Sequence, residues 1–151
     1  MKKIVLCFCL CFIVACAGYE PLFSSKNVSF YIKDVQNLNG DKISSKIIEK
    51  LKSFRKKINS EVGYNLRIDS KKNEVVASKN SKGDPLVYKL SIKTSVNVIL
   101  DGKSIDKITL KESFNYNNTT NKFDLNQYKK NIEENLINKI TEELTLRLQN
   151  L

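Results

Sequence analysis

The chain has 151 residues, a formal net charge of +10 and no histidine. That length suits one domain able to bury a core without cross-links, and the missing histidine removes the commonest general base and metal ligand. Cys7, Cys9 and Cys11 all precede Cys16, so a chain cut after Ala15 keeps Cys16 alone and forms no internal disulfide.

Lys2 and Lys3 precede an apolar run from Ile4 to Ala15. A membrane span needs about 20 apolar residues, so this run reads as the h-region of an export signal. Ile13-Val14-Ala15-Cys16 has the pattern of a lipobox: an aliphatic residue, a tolerated residue, a small residue, then cysteine. Residues 1–15 are therefore expected to be a lipoprotein signal peptide and Cys16 the site of lipid attachment. Residues 16–27 are read as a lipidated tether, and 28–151 as a single α+β domain. Export argues against nucleic acid as the partner of the positive charge. Anionic lipid head groups or an anionic glycolipid become the natural candidates, next to plain solubility in a lysine-rich chain.

Val28, Phe30 and Ile32 alternate with polar residues and predict a first strand over 28–35. Asn37 to Gly40 is turn chemistry. Asp41 is placed to cap a helix running to about Ile58, with Ile43, Ile47, Ile48, Leu51, Phe54 and Ile58 on one stripe. Tyr64, Leu66 and Ile68 predict a second strand, which Val75 to Ala77 extend past a bulge around Ser70 to Asn73. Lys79 to Asp84 is a polar hairpin tip. From Leu86 to Leu100 every even position but Thr94 is apolar or aromatic, and lysine, serine and asparagine fill most odd ones. This is a long strand with one wet face.

Asp101-Gly102 marks a turn, and Ile108, Leu110, Phe114 and Tyr116 continue on even numbers. Even opposite even requires an odd loop, so a three-residue loop is expected with Gly102 in the left-handed region. The last helix is expected to start at Asp124 as cap, with Gln127 reaching back and Phe123 and Tyr128 as a hydrophobic staple. Its buried stripe is Leu125, Tyr128, Ile132, Leu136, Ile137, Ile140, Leu144 and Leu148. Glu133-Glu134 and Glu142-Glu143 read as solvated helix surface. The expected fold is α+β, a four-stranded mainly antiparallel sheet with two helices packed on one face, in the order β-α-β-β-β-α. The first pair of strands, joined through a helix, is open to being parallel. No phosphate loop, metal-ligand spacing or catalytic constellation appears, and neither cofactor nor enzyme activity is expected.

After Cys16 the chain reads Ala17-Gly18-Tyr19-Glu20-Pro21-Leu22-Phe23. This resembles the opening of the lipopolysaccharide-assembly lipoprotein LptE family, although that family usually has glycine where Ala17 stands. Tyr64 to Ile68, Pro85 to Leu90, Ile108 to Lys111 and the long terminal helix follow the family's order. The resemblance implies an outer-membrane lipoprotein on the periplasmic side, not an enzyme. Such a protein assists lipopolysaccharide transport as plug and partner of a large β-barrel translocon. Lys79 and Lys82 flank the hairpin tip at Asn80-Ser81, where a short basic tip can reach anionic phosphates; the resemblance implies lipopolysaccharide contacts in this region and adds Lys111 in the adjacent strand as a candidate. The bland alternative is three solvated lysines among many. An auxiliary lipoprotein of an ABC-type envelope lipid transporter is the second reading, and a secretion or pilus assembly lipoprotein the third.

Overall fold

The alternation of apolar side chains becomes a sheet in the computed structural model, which describes residues 28–55 and 62–151. The expected signal peptide, Cys16, the tether and the part of the first helix expected beyond Arg55 lie outside the described residues. β1 spans Phe30–Asn37, α1 Lys42–Lys50, β2 Val62–Lys79, β3 Pro85–Leu100, β4 Lys103–Asn117 and α2 Lys122–Gln149. The sheet order is β1-β2-β3-β4. β1 runs parallel to β2, which the helix between them permits, and the other pairs are antiparallel. Both helices cover one face. α1 rests on β1 and β2, and α2 on β4 and β3. The expected α+β architecture and element order are present, and the first pair, which the sequence leaves open, is parallel.

The core lies between the layers. Leu90, Ile92, Thr94, Val96 and Val98 of β3 are buried under the helix layer, and Ile137, Ile140, Leu144 and Leu148 of α2, Ile47 of α1 and Leu51 just after it are buried from the other side. Asp41 caps α1 as expected, its Oδ1 accepting from the Ser44 amide at 2.7 Å. The α-helix is shorter than predicted, because the chain tightens into a 3₁₀ turn over Leu51–Arg55. Side chains three apart align in that geometry. Leu51 and Phe54 therefore both turn inward, and Phe54 stacks on Phe30 with ring centroids 5.9 Å apart.

Three local expectations are corrected. First, β2 runs through Ser70 to Asn73 without a bulge, and its irregularity lies at Val76 to Lys79. The polar residues there continue the inward face because each finds a partner. Ser70 Oγ is bonded to Ser44 and Thr94, both at 2.9 Å, while Lys72 and Glu74 pair with Glu133 and Lys129 of α2.

Second, the β3–β4 loop has two residues, not three. Asp101 (φ 48°) and Gly102 (φ 82°) both occupy the left-handed region, the turn whose twist best matches the flanking strands. Leu100 then opposes Lys103 and Ile99 opposes Ser104, but Val98 opposes Asp106. Ile105 is the extra residue of a β-bulge, and from that point even faces even up to Tyr88 and Tyr116.

Third, α2 begins earlier. Asn121 is the cap, its Oδ1 accepting from the amides of Phe123 and Asp124 at 3.1 and 3.3 Å, while its amide donates to Asp124 Oδ2 at 2.6 Å. Asp124 is a first-turn acid. Phe123 and Tyr128 are 76% and 47% exposed, so no buried staple forms and Tyr128 leaves the core stripe.

Candidate functional site

Since the helices share one face, the odd-numbered side chains of β2 and β3 project from the other. Beyond the bulge the odd residues of β4 join them. Register sorts these residues into rows. Arg67 opposes Asn97, which opposes Lys107; Asp69 opposes Ser95, which opposes Thr109. In the next row Lys71 opposes Lys93, and Lys93 opposes Lys111. Strands lie about 4.8 Å apart, so three ammonium-bearing chains stand side by side. Like charges directly opposite destabilise a sheet. Among the described residues no carboxylate pairs with any of the three. The nearest acid in the pattern, Asp69, accepts from Asn39 instead. Toward the Asp101-Gly102 turn the face holds a polar concavity of about 430 Å³, lined in part by Gln36, Asn65, Arg67, Asn97 and Ser104. Arg67 Nε donates to Gln36 at 3.3 Å there.

The structure divides the lysines singled out in the sequence. Lys79 ends β2 opposite Pro85, and Lys82 sits in the tip. That tip is ordered by Asn80, whose Oδ1 accepts from the Lys82 and Asp84 amides at 2.9 and 2.8 Å. Its amide also donates to the Asp84 carboxylate at 3.0 Å, which sets a negative charge beside the two lysines. Lys111 lies in the row with Lys71, about 26 Å along β2 from Lys79 at the rise of a strand. Lys71 and Lys93 are the members that sequence reasoning misses.

The opposite face carries a compensated charge cluster. Glu133 accepts from Lys46 and Lys72, each at 2.8 Å, and Glu134 pairs with Lys50 at 2.6 Å. These two acids are not simply a solvated helix surface; they tie α2 to α1 and to β2. Burial pushes the Glu133 carboxyl up, but the two lysines outweigh it and hold it below the ordinary glutamate range. Hydrogen bonding to Lys50 lowers Glu134 in the same direction. The Glu133 hydrogen bond raises Lys46. A lowered carboxyl stabilises the fold fully above its unfolded pKa, and that contribution disappears as pH falls through the lowered folded value. A raised lysine contributes below its unfolded pKa and is lost as pH rises through the raised one. Denaturant midpoints should therefore fall at both extremes, and Glu133→Gln should flatten the acid side. At neutral pH that variant should cost about 1 kcal/mol, a value reduced by the half-exposed lysines. An acid limb identical to wild type would show that the cluster does not contribute.

No protein-family model and no curated protein matches the chain in sequence. Solved structures do match in fold. The crystal structure of rare lipoprotein B from Shewanella oneidensis gives a TM-score of 0.59 at 14% identity, covering 80% of this chain and 97% of that one. A minor lipoprotein from Acinetobacter baumannii gives 0.59 at 15% identity, covering 82% and 92%. The solution structure of an uncharacterized lipoprotein B from Nitrosomonas europaea gives 0.61 at 10% identity, covering 87% and 90%. The chain therefore has the fold of these bacterial lipoproteins over nearly their whole length.

Proposed function

We propose that this chain is a non-enzymatic outer-membrane lipoprotein, anchored through Cys16 on the periplasmic side. In this reading it assists lipopolysaccharide assembly as plug and partner of a β-barrel translocon. The lipobox, the motif after Cys16 and the shared lipoprotein fold support it. The observation that carries the glycolipid part is the row Lys71, Lys93 and Lys111 on the open face of the sheet. A phosphorylated glycolipid would relieve a repulsion that nothing else among the described residues offsets. Each lysine is a point charge rather than a fork, so the interaction is salt-sensitive.

Replacing Lys71, Lys93 and Lys111 together with glutamine should weaken binding of purified lipopolysaccharide at low salt by at least about ten-fold, since an exposed lysine–phosphate pair is worth on the order of 1 kcal/mol. Lys79→Gln with Lys82→Gln should weaken it less, because Lys79 and Lys82 lie at the far end of the hairpin and outside the row. Unchanged affinity of the triple variant, with unaltered melting, rejects the row as the site. Recovery of a large β-barrel with the chain from detergent-solubilised envelopes tests the partner separately. Cys16→Ser should abolish labelling with palmitate and release the chain from membranes. Each acyl chain contributes about 0.8 kcal/mol per buried CH₂, and stable anchoring takes more than one signal. Persistent labelling would show that the lipid sits elsewhere.

A further inference from the structure

β4 is an edge. It pairs with β3 on one side and, among the described residues, with no strand on the other. An edge strand presents a row of unpaired N–H and C=O groups, a template for another extended chain. Lysines on the edge, proline, inward charges, bulges or brevity usually blunt such an edge; β4 has the lysines, which repel like chains but not an acidic one. β4 is 15 residues long, contains no proline, confines its bulge to Ile105, and between Lys107 and Asn117 carries a single charge on the inward parity, Glu112. From Lys107 to Asn117 the edge is regular.

The two sides of that edge differ. On the helix side a groove of about 360 Å³ lies along α2 where it meets Phe114 of β4; Tyr128, Ile132 and Leu136 give it most of its apolar lining, and three asparagines and Lys139 of α2 complete it. It lies on the flank of α2 away from α1, since Glu133 and Glu134 on the other flank pair with Lys46 and Lys50. Phe114 and Tyr128 are 45% and 47% exposed into it, unlike the rest of their stripes. On the open side Lys107 and Lys111 alternate with Thr109 and Ser113, and among the described residues neither lysine has an acidic partner.

A strand added here would point successive side chains to opposite faces. One set would enter the apolar groove and the other would stand beside the lysines. Cross-strand neighbours of opposite charge stabilise a pair, and like charges destabilise it. We propose that the free edge of β4 from Lys107 to Asn117 docks an extended segment of a partner protein in which apolar residues alternate with aspartate or glutamate. The main chain supplies affinity by extending the sheet, and the groove and the lysines supply specificity. A second copy of this chain fits poorly, because it would bring its own Lys103, Lys107 and Lys111 to the same edge. The proposal shares Lys111 with the glycolipid row but does not rest on that reading, and the variants below leave Lys71, Lys93 and Lys111 in place.

The test uses the full chain in detergent and a fluorescent peptide of about ten residues alternating valine with glutamate, the length such an edge accommodates. Amide hydrogen exchange should slow about ten-fold or more at alternate positions of β4 when the peptide is added. Lys107→Glu and, separately, Tyr128→Ser should each weaken peptide binding several-fold while leaving the melting temperature within about 2 °C, as expected for exposed sites. A peptide with lysine in place of glutamate should bind the Lys107→Glu chain better than wild type. Four results would overturn the proposal. The peptide leaves β4 exchange unchanged at millimolar concentration. Both variants bind it as wild type does. The β4 amides are already protected in the free monomer, which assigns the edge to the chain's own residues before Val28. The chain self-associates through β4 and excludes the peptide, which assigns it to a second copy.

Discussion

Deleting Thr109 should cost the domain at least about 3 kcal/mol, whereas deleting Ile105, four residues earlier on the same strand, should cost little. The difference comes from register. Without Ile105, Val98 still opposes Asp106, and the pairs of Ile99 with Ser104 and Leu100 with Lys103 follow directly. The hairpin becomes regular, every inward residue stays inward, and the deleted side chain is 45% exposed to begin with. Without Thr109 the strand has two choices. It can consume the bulge, which turns Ile108 outward and puts Lys107 opposite Val96 under α2. It can keep the bulge, which turns Leu110 and Tyr116 to the open face. Ile108, Leu110 and Tyr116 are at most 7% exposed. Exposing one such side chain costs about 1.5–3 kcal/mol, and forcing a lysine beneath a helix adds to that. Chemical denaturation of the two variants decides the matter. Similar losses would mean that Ile105 is not the unpaired residue and that the hairpin closes differently.

The same hairpin shows where sequence stops being enough. Period-two alternation in β3 is a direct record of burial, so the long strand and its inward face are legible from Leu90 to Val98. So are the stripes of α1 and α2, because an apolar side chain has one reason to recur every turn. Parity also implies even facing even across β3 and β4. It does not say whether an odd loop or a bulge supplies the odd residue. Both satisfy the core, and the preference of Asp-Gly for a two-residue turn selects the bulge. The break expected at Ser70 to Asn73 has a related cause. Ser70, Lys72 and Glu74 look like strand-breaking polarity, yet each is satisfied by a residue distant in sequence: Ser44 and Thr94, Glu133, and Lys129. Only a packed structure places those partners. Parity puts Lys93 and Lys111 on one face, but that they stand directly opposite depends on the register of the hairpin. Lys71 enters the row only once β2 is known to run unbroken past Asn73, which is why the sequence groups Lys111 with the tip and hides the row. The early cap at Asn121 is masked because Asp124 offers the same chemistry one turn later.

Ile92→Ala and Lys93→Ala, adjacent on one strand, should move stability in opposite directions. Ile92 is fully buried between Lys72 and Glu112 of the neighbouring strands and α2 above. Truncating a buried isoleucine to alanine costs about 2–5 kcal/mol, because the cavity collapses only partly. Lys93 points the other way, with Lys71 and Lys111 directly opposite it. Each like-charge pair across strands is unfavourable by a few tenths to about 1 kcal/mol, so Lys93→Ala removes two of them at once. The change in β-propensity from lysine to alanine is small beside that. Lys93→Ala should therefore be more stable than wild type at low salt. The gain should vanish near 1 M salt, where the Debye length falls to about 3 Å. If both variants lose stability equally, the strand register is wrong. If Lys93→Ala is neutral at every salt concentration, the lysines do not repel and the row gives no reason for an anion to bind. The expected pattern, a gain screened by salt, would mean that the row lowers the stability of the fold that carries it. An anionic ligand would then recover that energy on binding, and should raise the melting temperature of wild type more than that of Lys93→Ala.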